Sequence, residues 1–527
     1  MVKILVAEKL NEKGLDVLYA SGMDIVYNKD ITREELLDTI HEYDALIVRS
    51  LPIVDKELLD KATKLRVVGR AGNGVDNIDM EAATNQGVVV VNTPDSNSIS
   101  ACELTIGLLI AACRNISEAN NCLKHGEWGR SRFQGVELSG KTLGIIGLGR
   151  IGTLVANRMK AFNMNIIAYD PYITDEQFAR GRAEKKERLE DLLREADVIT
   201  IHTPKTAETL GMIDREQFAM MKDGVRVVNC ARGGLYNEEA LAEALKSGKV
   251  AGAACDVLSK EPCTDSPLYA FPNFTVTPHI GATTTEAQES VGICVAEEVV
   301  NALKGELVAN AVNMPVLKNE DLLTIKPYMR LGELLGKIYH QLQKKPVYKV
   351  AVDYCGEAAE LDTGMITRAV LRGLFEPILK EQINYVNAMK VAEARGVGVI
   401  ESKEQDAGHF PGLIRVKVYA GQRVYRYCGT IFGLDDPRIV EIDGYRFDFR
   451  PEPNMILVEN VNKPGMIGKI GTVMGENNIN ISAMQVCPGG DNEVAMMTFG
   501  ISREPSEEQL ENIAALDDVL KVRFVEF

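Results

Sequence analysis

Residues 141–170, KTLGIIGLGRIGTLVANRMKAFNMNIIAYD, decide the fold. An apolar run leads directly into Gly147-Leu-Gly149-Arg-Ile-Gly152, a helical pattern follows, and a second apolar run ends at Asp170, 18 residues past Gly152. Glycines at this spacing between a strand and a helix, with an acid at the end of the next strand, are what a dinucleotide requires. Gly147 permits the tight turn, Gly149 admits the pyrophosphate to the backbone, and Gly152 lets the helix pack close to the strand. The phosphates then lie at the positive end of that helix. Asp170 is placed to accept from the adenosine ribose hydroxyls. A carboxylate there repels a 2′-phosphate, and Pro171 and Tyr172 follow it in place of an arginine, so the expected cofactor is NAD.

Working outward, the first 280 residues repeat the pattern. KILVAE, ALIVRS, LRVVGRAG and VVVVNTP precede this stretch, and VITIHTP, VRVVNCARG, AGAACDV and FTVTPHIG follow it. Apolar runs of this kind, not alternating and separated by helix-length segments, indicate parallel strands buried on both faces. The fold class is therefore α/β, with two doubly wound Rossmann-like lobes. Residues 1–97 are read as a first lobe to which the chain returns at 287–315, and 98–286 as the cofactor lobe. Residues 317–452 read as a mixed α+β segment without a nucleotide-type glycine loop. Residues 455–527 run strand, helix, strand, strand, helix, strand, a βαββαβ order.

A length of 527 residues suggests three or four domains, and 46% hydrophobic with 25% charged residues is ordinary globular composition. The net charge of −16 argues against nucleic acid as a main partner. Ten cysteines without a CxxC pair fit a reduced, cytoplasmic protein. The opening MVKILVAEKL reads as a strand, not a signal peptide, and the densest apolar run, Leu104 to Cys113, is too short to span a bilayer. The expectation is thus no membrane, no nucleic acid and no metal.

Arg232, Glu261 and His279 lie at or just past the ends of late strands, where ligands bind in open parallel sheets. A guanidinium clamps a carboxylate, an imidazole carries the proton that accompanies hydride transfer, and a carboxylate fixes the imidazole tautomer. That is a complete set for interconverting a 2-oxo acid and a 2-hydroxy acid. A second glycine cluster, Gly69-Arg-Ala-Gly72-Asn-Gly74, lacks the nucleotide spacing and reads as a loop lining the substrate cleft.

The stretches NTPDSNSISACE, GLGRIG, VNCARGGLYNEEAL, AACDVLSKEP and TPHIGATTTEAQ resemble the signatures of the D-isomer-specific 2-hydroxyacid dehydrogenases over about residues 1–315. The resemblance implies that Arg232, Glu261 and His279 are catalytic. It also implies that Arg150, Ile151, Thr203, Cys230, Ala231, Asp256, Gly281 and Ala282 line the cofactor site, with Asp256 meeting the nicotinamide carboxamide. Beyond residue 315 the chain resembles the long members of that family, which act on 3-phosphoglycerate at the start of serine biosynthesis and end in an ACT unit. A phosphorylated substrate needs cations: Arg49 and Arg70 at strand ends of the first lobe are candidates, with Gly72 and Asn73 beside them, and Arg130 and Arg132 are further candidates, reaching into a neighbouring subunit's site or forming a solvated basic loop. Asn73 stands where related sequences often have threonine.

The same resemblance implies that L-serine binds at the ACT loop Glu459–Gly465, through Asn460 and Asn462, with Asn480 facing the same interface. Feedback inhibition and a homo-oligomer, dimer or tetramer, follow from it. Arg446 and Arg450 are weighed for an anion site in residues 317–452, but a solvated strand explains them better. The competing readings are a dehydrogenase for glyoxylate, hydroxypyruvate or D-lactate, or a nucleotide-sensing protein without turnover.

Overall fold

The computed structural model describes residues 1–315, 322–343, 345–380, 383–490 and 493–527. The boundary expected at 317 lies outside the described residues. A five-stranded parallel sheet comes first, in the spatial order Asp24–Tyr27, Lys3–Val6, Ala45–Val48, Val67–Arg70, Val89–Val91. The long helix Thr285–Leu303 returns to this sheet. Its Gly292 meets Gly14 so closely that a Cβ on Gly14 would lie 2.5 Å from the Gly292 carbonyl oxygen, so the lobe is closed by backbone contact.

The second sheet has seven parallel strands, ordered Phe274–Val276, Val250–Cys255, Val225–Asn229, Val198–Ile201, Thr142–Ile146, Asn165–Tyr169, Glu184–Lys185. Its chain order reverses beside Thr142–Ile146, so the glycine loop that follows this strand opens at the topological switch point. The apolar helix Ser98–Arg114 packs into this lobe through Cys102, Leu108, Leu109, Ala112 and Cys113. No single helix among the described residues is long and apolar enough to cross a membrane.

The third sheet is mixed. Gly398–Glu404 pairs parallel with Val347–Gly356, and Gly412–Ala420, Arg423–Phe432, Asp436–Ile442 and Tyr445–Phe449 continue antiparallel. Helices Leu322–Leu342 and Gly364–Leu379 cover one face and cross at glycines. A Cβ on Gly373 would lie 2.1 Å from the Glu333 carbonyl oxygen, and one on Gly336 2.1 Å from that of Val370.

The last sheet is antiparallel, ordered Ile481–Pro488, Val494–Ile501, Asn454–Val461, Val519–Glu526. Alternation along Asn454–Val461 explains its packing. Ile456 and Val458 join Met466 and Ile470 in the core beneath the sheet's own helices, while Met455 and Leu457 enter the core of the preceding unit.

Candidate active site

The cofactor loop is built by the absence of side chains. Gly147 has φ +88°, and a Cβ there would lie 2.8 Å from the His202 carbonyl oxygen. A Cβ on Gly152 would lie 2.2 Å from the Gly147 carbonyl oxygen, whereas Gly149 faces open space. Helix Arg150–Met159 begins at Gly149 with no side-chain cap, leaving its first amides for an anion. The Asp170 carboxylate accepts from the Leu148 amide at 2.9 Å and the Tyr172 amide at 3.0 Å, which fixes it beside the loop. These residues fit a dinucleotide. Arg150 is ion-paired to Asp95 at 2.5 Å, and Ile151 packs against the lobe's core.

Deeper in the cleft, the Thr203 hydroxyl contacts the Met212 sulfur at 3.9 Å, and burial pushes the Cys230 thiol up to about 12, so it stays protonated and unreactive. The Ala231 amide is held by Asn229. Asp256 is 2% exposed and already accepts three hydrogen bonds from its own chain. Its Oδ1 accepts from the Thr277 hydroxyl at 2.5 Å and the Ile280 amide at 2.8 Å, and its Oδ2 from the Gly281 amide at 2.8 Å. What Asp256 visibly does is brace the turn that carries His279, whose own amide donates to the Asp256 carbonyl at 2.8 Å. Ala282 lies in the same turn, its carbonyl accepting from Gln288.

That turn holds His279 at φ +56°, a left-handed conformation that is uncommon for a side-chain-bearing residue. His279 Nδ1 lies 2.6 Å from Glu261 Oε2, and Glu261 Oε1 accepts from the Leu258 amide at 3.1 Å. Burial pushes the Glu261 carboxyl up. The His279 hydrogen bond and charge, the Leu258 amide and Arg232 outweigh it, and hold the group below the ordinary carboxylate value. An ionised Glu261 accepts the Nδ1 proton and leaves Nε2 as the working nitrogen of the ring.

Arg232 stands on the same side of the cleft, its Nη1 donating to the Ala231 carbonyl at 2.7 Å and its Nε to Asp76 Oδ2 of the first lobe at 3.0 Å. Facing it, Arg70 ends the strand Val67–Arg70 with its Nε buried and unpartnered. Burial, then Arg232 and Arg49, push the Arg70 guanidinium down to about 10, against Asp76 and Glu8. Gly72, at φ +148°, makes room for it: a Cβ there would lie 1.6 Å from Arg70 Nη1. Arg49 donates to Gln288 at 2.9 Å, and the Asn73 carbonyl accepts from Asn92. The cleft thus gathers Arg49, Arg70 and Arg232.

Arg130 and Arg132 lie outside this chain's own cleft, as expected for residues directed at a neighbouring subunit or at solvent. Both are exposed; Arg132 pairs with Glu127 at 3.1 Å and lies over Phe133 in its own loop. The sequence offers Asp76 only as an acid too close to the second glycine cluster to hold a ribose, and gives no role to Gln288 or Thr277; the partners of the three are 156, 239 and 21 residues away. Only the Asp76 position carried a signal, an acid immediately behind a glycine cluster.

In the C-terminal unit, Asn462 and Asn480 are exposed, but Asn460 is 1% exposed. Its Nδ2 donates to the Val461 carbonyl, and its Oδ1 is buried without a partner. It lies on the helix-facing side of its strand, continuing Ile456 and Val458, so it is not an open amide on this chain. Arg450 pairs with Asp436 at 3.3 Å, and Arg446 is exposed.

Residues 106–281 match the NAD-binding domain of the D-isomer-specific 2-hydroxyacid dehydrogenases, 324–443 the D-3-phosphoglycerate dehydrogenase intervening domain, and 454–518 the ACT domain. D-3-phosphoglycerate dehydrogenase of Archaeoglobus fulgidus is 44% identical over all of both chains, and that of Bacillus subtilis 39% identical over 100% of both. Among solved structures, a Thermus thermophilus protein aligns with TM-score 0.55 at 35% identity, covering 59% of this chain and 100% of its own. A glyoxylate reductase from Paecilomyes thermophila gives 0.55 at 31%, covering 59% and 98%. The chain belongs to the D-isomer-specific 2-hydroxyacid dehydrogenases, as an NAD-dependent enzyme of the long form that carries an intervening domain and an ACT domain.

Proposed function

We propose that the protein oxidises 3-phospho-D-glycerate to 3-phosphohydroxypyruvate. The observation that carries this reading is the cleft cluster of Arg49, Arg70 and Arg232, with the Arg70 Nε buried and unpartnered. A guanidinium crowded by two others and left with an unpartnered N–H is costly, and a phosphate ester is the ligand whose charge relieves it. In this reading Arg232 holds the substrate carboxylate, and Arg49 and Arg70 hold the phosphate. His279 takes the 2-hydroxyl proton at Nε2 in oxidation and returns it in reduction, while Glu261 keeps the ring oriented through Nδ1. NAD, when bound, supplies the acceptor for the C2 hydride. The relatives named D-3-phosphoglycerate dehydrogenase support the same substrate.

Residues 1–97 with 287–315 form the substrate lobe in this proposal, 98–286 the NAD lobe, 317–452 a regulatory and assembly unit, and 455–527 the effector unit. L-Serine is its effector, held at the loop bearing Asn462 across a subunit interface with Asn480. The buried Asn460 acts by shaping that loop. The ACT match supports a small-molecule effector there.

The test is NADH oxidation with 3-phosphohydroxypyruvate, hydroxypyruvate and 2-oxoglutarate, each with and without L-serine. A strong preference for the phosphorylated acid is expected, together with loss of rate on adding serine and its abolition by Asn462→Ala. Equal rates for all three acids overturn the substrate, and indifference to serine overturns the effector.

A further inference from the structure

The guanidinium of Arg232 is not left to find its own orientation. Its Nε donates to Asp76 Oδ2 at 3.0 Å, a bond that crosses from the cofactor lobe to the substrate lobe, and Nη1 donates to the Ala231 carbonyl at 2.7 Å. Two acceptors at two points of a planar fork fix both the plane and the rotation of the group. The remaining N–H donors keep their directions for a ligand. The backbone is shaped to permit this. A Cβ on Gly74 would lie 1.9 Å from Arg232 Nη2 and 2.9 Å from Asp76 Oδ2, so only glycine lets the arginine come down onto the loop.

Asp76 itself is braced. Val54 pairs with Ile78 in a parallel bridge, the Val54 amide donates to the Asn77 carbonyl at 2.8 Å, and the Ile78 amide to the Val75 carbonyl at 2.9 Å. Asp76 is also a carboxylate opposing the mutual repulsion of Arg70 and Arg232, since its charge raises the Arg70 guanidinium while Arg232 and Arg49 lower it.

We infer that Asp76 is a positioning residue for the reaction. It sets the Arg232 guanidinium for the carboxylate shared by every 2-oxo acid substrate, and has no part in choosing between phosphorylated and unphosphorylated ones. The inference rests on the proposed role of Arg232.

The full-length enzyme is assayed with 3-phosphohydroxypyruvate and with hydroxypyruvate in wild type, Asp76→Ala, Asp76→Leu and Asp76→Glu. Loss of one hydrogen bond to a charged group lowers kcat/KM by roughly ten- to hundredfold. The expected result is that Asp76→Ala lowers it by the same factor for both acids and leaves NADH affinity unchanged. Asp76→Glu recovers part of the loss. In an Arg232→Lys background, Asp76→Ala costs little more, because the two changes remove one interaction.

A loss confined to the phosphorylated acid overturns the inference in favour of charge balance at Arg70. So does an undiminished loss in the Arg232→Lys background, or no loss at all. If Asp76→Ala does not fold, Asp76→Leu, of similar size and without an acceptor, carries the same comparisons. If Arg232→Lys alone leaves both rates intact, the role proposed for Arg232 fails, and that outcome is distinct from a failure of Asp76.

Discussion

Arg70→Met separates what a residue does for binding from what it does for stability. Burial, with the charges of Arg232 and Arg49 nearby, lowers the proton affinity of the Arg70 guanidinium from the ordinary 12.5 to about 10, and its Nε is unpartnered. At about 1.4 kcal/mol per tenfold change, holding the charge there costs on the order of 3 kcal/mol in the ligand-free protein. The group is protonated at neutral pH in both folded and unfolded chains, so that cost is constant there. It shrinks only as pH rises between the folded and unfolded values, the direction expected when the unfolded chain binds the proton more tightly.

Methionine keeps the long stem and removes the charge. The ligand-free transition of the catalytic lobes is expected to rise on the order of 5 °C, since water reaching the site recovers part of the cost in the wild type. The KM for 3-phosphohydroxypyruvate is expected to rise about a hundredfold, and that for hydroxypyruvate only a few-fold. Differential scanning calorimetry with and without 3-phosphoglycerate, beside steady-state kinetics on both acids, reads all of this. Added 3-phosphoglycerate should stabilise the wild type markedly and the variant much less. A lower ligand-free midpoint in the variant, or equal KM changes for the two acids, refutes the reasoning.

Glu261→Gln removes the charge beside His279 Nδ1 while keeping the shape, and kcat is expected to fall roughly ten- to hundredfold with NADH affinity unchanged in a fluorescence titration. Because the Glu261 carboxyl is held below its ordinary 4.5, the pair stabilises the fold fully above that pH and loses this as pH falls through the folded value. Urea midpoints measured from pH 6 downward should therefore drop more in the wild type than in Glu261→Gln. Gly152→Ala puts a Cβ 2.2 Å from the Gly147 carbonyl oxygen, so the helix must withdraw and NADH affinity should fall at least about tenfold, read by the same titration. Gly373→Ala, 2.1 Å from the Glu333 carbonyl oxygen, should destabilise the helix pair of the intervening domain by about 1–3 kcal/mol in urea unfolding, leaving kcat close to wild type.

The sequence by itself determined whatever is written locally. The strand–glycine loop–helix–strand of residues 141–170, the buried parallel runs and the βαββαβ terminus are each set by residues close together in the chain, where periodicity and backbone freedom leave few choices. Placing Arg232, Glu261 and His279 in one cleft needed only the rule that parallel strands end on the same side. The tertiary structure decided what depends on distant partners. Asp256 accepts three hydrogen bonds from the turn it supports, and Asn460 is buried with its amide on the Val461 carbonyl. Arg130 and Arg132 remained in their exposed loop, while Asp76 reached across 156 residues to Arg232. The physical reason is that a side chain's polar partners are chosen by how two folded lobes meet, and no local period encodes that meeting.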